Sequence, residues 1–228
     1  MEETTFALLS FITRIDRLGQ SEAVALSTPL CEVFMSEPRI SRLNRDQVSP
    51  SIVAIYDRSL RDRGNVPYFF RTMAHRPEIF ETMIAHFDAV LNTGTVSKAL
   101  KELIIVRTSQ INCTEYCLAS HTAIAKRLGW TDEQIVALED FATSDLFTER
   151  EKAAIHMAEA MTKNPRSYSD AEFAALRAIF TEGEVIELIA SVGLFNYFNR
   201  ANDLMRMEPT RPASQQELDA AGMLPAGV

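Results

Sequence analysis

The sequence has no run of lysine and arginine, and its formal net charge is −8 with a pI near 5.1. Its 23 basic residues are scattered among 31 acidic ones, which argues against nucleic acid as a partner. No apolar run approaches the roughly 18 residues of a membrane span. The richest, Val185 to Phe198, is broken by Glu187 and Asn196. The opening Met1-Glu2-Glu3 lacks the positive region of a signal peptide, so a cytoplasmic location is expected. Glycine (8) and proline (9) are sparse, and neither Asn-Gly nor Asp-Gly occurs, so β-hairpins have little to start from. Cysteine is scarce as well. In a reducing compartment three cysteines do not build a disulfide framework. A close pair there points instead to catalysis, redox chemistry or metal binding.

What the chain does contain is helix signals, and an all-α fold is expected. Capping-box patterns stand at Thr131–Gln134, Thr148–Glu151, Ser169–Glu172, Thr181–Glu184 and Ser214–Glu217. Ser49-Pro50 supplies an N-cap followed by proline at the first helical position. Gly129 suits the left-handed position after a helix. Periodicity and these signals predict helices at about 4–18, 21–36, 50–62, 66–74, 77–92, 97–111, 114–128, 131–141, 148–163, 169–179 and 181–205. The chain divides into an N-terminal helical extension (1–45), a helical core (46–207) and a tail (208–228).

The chemistry concentrates in Ile111-Asn-Cys-Thr-Glu-Tyr-Cys-Leu-Ala-Ser-His121. Cys113 and Cys117 are four residues apart, and His121 follows Cys117 by four, so on a helix Cys117 and His121 share a face, with Cβ atoms about 5–6 Å apart. An imidazole beside a thiol near a helix N-terminus favours thiolate. The helix end alone contributes about 0.3–1 kcal/mol. Making thiolate the majority form at pH 7 needs roughly 2.7 kcal/mol, so His121 must supply the difference. Glu102 lies in an apolar stretch of the preceding helix. If the two helices pack antiparallel it can hold His121 as a proton acceptor, giving nucleophile, base and orienter. Glu102 could equally be a solvated helix charge, and the cysteines could be core residues. The spacing C-x3-C-x3-H lacks the paired knuckles of zinc sites, and no metal is assigned.

Glu102, Cys117 and His121 stand in the register of the alkylhydroperoxidase D (AhpD)-like, carboxymuconolactone decarboxylase superfamily, which this chain resembles. The family motif places its first cysteine twelve residues after the glutamate. Here that position is Thr114, and the cysteine stands one residue earlier, at Cys113. Val66-Pro-Tyr-Phe-Phe70, Arg76-Pro77, Thr148–Lys152 and Asn196–Asp203 resemble the longer peroxidase-related members, over roughly 50–210. The resemblance implies an AhpD-like helical bundle, homo-oligomers, and peroxide reduction without haem or other cofactor. It implies Cys117 as nucleophile, His121 as base, Glu102 as orienter and Cys113 as resolving thiol, with a hydroperoxide as substrate and an external dithiol or disulfide reductant as partner. Cys113–Cys117 cannot close inside a regular helix, where Cβ atoms are too far apart for a disulfide. Thr114 as N-cap would put Cys113 outside the helix, where closure is allowed.

Thr114, Tyr116, Asn199 and Asn202 are read as lining the site; for Tyr116 the alternative is packing, and the cluster Asn199, Asn202, Asp203 could line a pocket or an oligomer interface or satisfy backbone groups at a helix end. Cys31 reads as a core residue, and the stripe Leu194, Phe195, Phe198, Leu204, Met205 as core or subunit interface. Two other functions stay open: an enzyme acting on a lactone acid, whose members generally lack the cysteine pair, and a non-catalytic interaction or sensor protein.

Overall fold

The structure is a computed structural model that describes residues 38–210 and Gly222. The helices expected at 4–18 and 21–36, Cys31, and the capping pattern at Ser214 lie outside the described residues. Within them the chain is helical, with no strand. In order come α1 (Pro50–Arg63), α2 (Tyr68–Met73), α3 (Pro77–Asn92), α4 (Lys98–Ile111), α5 (Glu115–Arg127), α6 (Asp132–Ala137), α7 (Glu149–Lys163), α8 (Asp170–Ile179) and α9 (Glu182–Met205).

Local chemistry sets these boundaries. At Thr131, Thr148, Ser169 and Thr181 the hydroxyl accepts the backbone N–H three residues on, and the N3 side chain accepts the N–H of the cap. Pro50 and Pro77 open α1 and α3, where a missing N–H costs nothing. Gly129 ends α5 at φ +105°, with Trp130 N–H reaching back to the Ala125 carbonyl. The helix expected over 131–141 is α6 followed by a 3-10 turn, Leu138–Asp140.

The core has two lobes. One gathers Ile52, Tyr56, Phe69, Phe80 and Phe198 from α1, α2, α3 and the C-terminal half of α9. The other gathers Leu103, Ile104, Ile155, Leu188 and Val192 from α4, α7 and the N-terminal half of α9. Leu204 departs from the expected apolar stripe: it is 69% exposed, while Leu194, Phe195, Phe198 and Met205 are buried.

Between the lobes runs α4, buried at every residue from Leu100 to Ser109. A helix covered on all sides must satisfy its polar groups internally. Thr108 and Ser109 donate to the carbonyls of Ile104 and Ile105 at 2.8 and 2.9 Å. Each of its three buried charges has a partner on a different neighbour. Lys101 meets Glu187 of α9 at 2.8 Å, Arg107 meets Glu159 of α7, and Glu102 meets His121 of α5. These pairs fix the helix's rotation and depth, and so the direction in which Glu102 points.

The start of α4 is held by the same network. Glu187 accepts the N–H groups of Thr95 and Val96 at 2.8 and 3.0 Å. Lys101 Nζ also donates to the carbonyls of Val90 and Thr93, each at 2.8 Å. Gly94 stands at φ +90°, which favours glycine, and a Cβ there would overlap the Glu187 carboxyl and push it from its bonds.

Candidate active site

The turn from α4 to α5 is the foundation of the site. Thr114 N–H bonds the Ser109 carbonyl and Cys113 N–H bonds that of Gln110, each at 3.1 Å. This is a Schellman closure, and the residue in its left-handed position is Cys113, at φ +55°. Glycine usually takes that place, and a non-glycine residue there costs on the order of 1 kcal/mol or more. Cys113 therefore lies outside α5 and is exposed, and Cys113 and Cys117 are both free thiols.

Thr114 is the N-cap of α5, as its sequence position suggests, but its hydroxyl does not cap the helix. It donates instead to Asp203 Oδ2 at 2.8 Å, tying the turn to the end of α9. Burial raises the Asp203 carboxyl above its ordinary value, partly offset by the Thr114 bond.

The tight turn folds α5 back along α4 and brings His121 against Glu102. Nδ1 and Oε2 are 2.7 Å apart. Glu102 is 1% exposed, so it is not a solvated helix charge. A carboxylate at Nδ1 keeps the ring proton on that nitrogen, so the neutral imidazole offers Nε2 as acceptor. Nε2 has no hydrogen-bond partner among the described residues. The ring also stands edge-on to Phe195, centroids 4.5 Å apart, which leaves it little freedom to turn.

Cys117, one turn before His121, is 3% exposed and packs in the lobe that contains Phe69, Phe195 and Phe198. Its sulfur accepts a hydrogen bond from Asn202 Nδ2 at 3.4 Å. His121 and Cys117 are not directly hydrogen-bonded. The sequence reading weighed only influences that favour thiolate, and burial acts against them. Burial pushes the Cys117 thiol up to about 12, outweighing the Asn202 bond, and the Asp203 charge pushes it the same way. These influences favour the protonated thiol over the thiolate.

Tyr116 is buried with its hydroxyl turned to the backbone N–H of Phe69 (3.5 Å) and to Thr210 (3.2 Å), so it packs and pins the segment after α9. Asn199 is fully buried and accepts from Ser109 Oγ at 3.3 Å. The structure thus brings Glu102, His121, Cys117 and Asn202 together, with Cys113 and Thr114 at the rim of the same turn. Sequence reasoning did not identify the direct Asn202–sulfur contact. Its signal was the polar stripe Asn199, Asn202, Asp203 on one face of an otherwise apolar helix. The pairing of Thr114 with Asp203 was missed too. Among the described residues no three His, Cys, Asp or Glu side chains cluster as metal ligands, and no helix is long and apolar enough to cross a membrane.

Residues 77–160, spanning α3 to α7, match the model of the carboxymuconolactone decarboxylase family. The uncharacterized protein YdfG of Bacillus subtilis (strain 168) is 28% identical over 113 residues, covering 49% of this chain and 77% of YdfG. An uncharacterized peroxidase-related protein from Ralstonia eutropha JMP134, described as an alkylhydroperoxidase AhpD core, superposes with a TM-score of 0.68 at 26% identity, over 76% of this chain and 92% of that one. The debrominase Bmp8, solved as a cysteine-to-alanine variant with 2,3,4-tribromopyrrole, shares the fold with a TM-score of 0.67 at 23% identity, over 82% and 98% of the two chains. The helical architecture, the match across α3 to α7 and the likeness to an AhpD core agree: the chain is similar to proteins of the AhpD-like, carboxymuconolactone decarboxylase superfamily.

Proposed function

We propose that this chain is a thiol-dependent hydroperoxide reductase. The observation that carries the reading is the buried Glu102–His121 hydrogen bond with Cys117 one helical turn away on the same helix. Glu102 orients the imidazole and His121 takes the Cys117 proton as the sulfur attacks, so the thiol ionises only in use. The sulfur bonds to one peroxide oxygen and the O–O bond breaks. The other oxygen leaves as an alcohol with the proton held by His121, and Cys117 becomes a sulfenic acid. Cys113 displaces water from it to form a disulfide. An external dithiol, oxidised in turn to its own disulfide, restores both thiols. The phenylalanines around Cys117 favour an organic hydroperoxide over hydrogen peroxide.

The debrominase relative is a reminder that this fold carries more than one reaction. The deciding experiment is mass spectrometry after one equivalent of an alkyl hydroperoxide, with and without a dithiol donor. The expected product is a Cys113–Cys117 disulfide, with turnover lost in Cys117→Ser. Dithiol-driven turnover that persists in Cys117→Ser would refute the assignment.

A further inference from the structure

Asn202 is 2% exposed, and the two ends of its side-chain amide differ in environment. Nδ2 donates to Cys117 Sγ, whereas the buried Oδ1 has no partner. A carbonyl left bare inside a protein costs free energy, and native structures rarely keep one without use. Flipping the amide would not remove the cost, since it would leave a bare N–H instead. The ionisable groups around the sulfur come from two elements: Tyr116 beside it and His121 one turn along on α5, and Asp203 at the end of α9. Asp203 is engaged by Thr114, and Tyr116 is turned to Phe69 and Thr210. Asn202 is the hydrogen-bond donor found on the sulfur among the described residues.

We propose that Asn202 is a catalytic residue that stabilises the ionised form of Cys117 through its amide N–H and receives the O–H of the sulfenic acid on Oδ1. This deepens the hydroperoxide reductase reading, and its first half requires only that Cys117 react as a thiolate. A thiolate keeps the N–H bond and strengthens it, because the acceptor is then charged. A sulfenic acid carries a donor that the thiolate lacks, and the bare Oδ1 is an acceptor left free for it. The same amide thus serves the sulfur before and after oxidation.

The test measures alkylation of Cys117 by iodoacetamide, resolved by peptide mass spectrometry, so that Cys113 reports in the same sample. No peroxide is involved, so the outcome is independent of whether the chain reduces peroxides. A charge-assisted hydrogen bond favours the thiolate about 10- to 100-fold, so Asn202→Leu should slow Cys117 alkylation by about that factor at any pH well below the thiol pKa. The Cys113 rate should stay unchanged. Loss of the fold has the opposite sign, since exposure would bring the Cys117 rate up towards that of Cys113. If the leucine variant unfolds, Asn202→Asp, which keeps the shape and replaces the donor with a carboxylate, decides the matter and should be slower still. A folded Leu or Asp variant whose Cys117 rate stays within twofold of wild type would overturn the proposal, even if peroxide turnover is found. Slower alkylation in a protein that reduces no peroxide would leave the donor role standing and remove the reductase reading.

Discussion

Glu187→Gln isolates one charge. Glu187 is the counter-charge to Lys101, whose side chain is 1% exposed, against 19% for Glu187 itself. With about 4 Å between charge centres and an effective dielectric near 20, their attraction is about 4 kcal/mol. Breaking a buried pair by removing one partner typically costs about 3–5 kcal/mol. Lys101 keeps its two carbonyl acceptors, and glutamine keeps one oxygen for Thr95 or Val96, so the lower end, about 3 kcal/mol, is expected. At about 2–4 °C per kcal/mol that is a fall of roughly 6–12 °C in Tm at pH 7. The pH dependence tests the cause. Burial opposes ionisation of Glu187, but the bonds from Lys101, Thr95 and Val96 outweigh it and hold its pKa below the ordinary 4.5. A depressed carboxyl stabilises fully above its unfolded pKa and loses that contribution as pH falls through its folded one. The gap between wild type and Glu187→Gln, followed by thermal melts, should therefore be constant from pH 7 to about 5 and close below the ordinary value of 4.5. A Tm within 2 °C of wild type at pH 7, or a gap that does not change on acidification, would refute the reasoning.

Gly94→Ala attacks the same joint sterically: the positive φ and the overlap with Glu187 predict a loss of at least about 1–3 kcal/mol, read by urea denaturation. Glu102→Gln keeps the shape of the orienter but removes the charge opposite the proton His121 accepts, so kcat/KM for an alkyl hydroperoxide should fall about 100-fold, a loss of roughly 2.7 kcal/mol. Steady-state kinetics showing less than a threefold change would exclude that role. Glu172 is held down to about 2 by bonds from Ser169 and His156. Its depressed carboxyl stabilises above the ordinary 4.5 and loses that contribution only as pH falls towards 2, so in wild type the α8 cap should persist at pH 3. Carboxyl NMR titration of Glu172 checks this, and His156→Ala should move its midpoint upward.

Helices were the most legible part of the sequence, because their ends are marked by local chemistry. Hydroxyl–carboxylate pairs three residues apart and prolines at first positions act through their own backbone. Where an end depends on tertiary contact the reading was less exact. Nothing in Leu138-Glu-Asp140 announces that α6 tightens into a 3-10 turn. Thr114 looks like a cap, yet its hydroxyl accepts no helix N–H and donates to Asp203, 89 residues away.

The candidate site divides in the same way. Glu102, Cys117 and His121 were picked out by the family register together with spacing: 3.6-residue periodicity places Cys117 and His121 on one face, and a short turn returns α5 to Glu102. The protonation of Cys117 could not be read in that way. Proximity of His121 and a helix N-terminus both argue for thiolate, and each is a local term of a few kcal/mol at most. Burial among aromatic rings supplied by α2 and α9 opposes them and raises the thiol pKa. The partners of Lys101 and Arg107 were equally hidden, although both lie in the same apolar stretch as Glu102 and invited the same question. A charge inside a run such as Leu103-Ile-Ile-Val106 implies a partner. Sequence alone does not say which helix provides it, because that depends on packing angles between elements far apart in the chain. The depth of the thiol and its contact with Asn202 follow from that same packing.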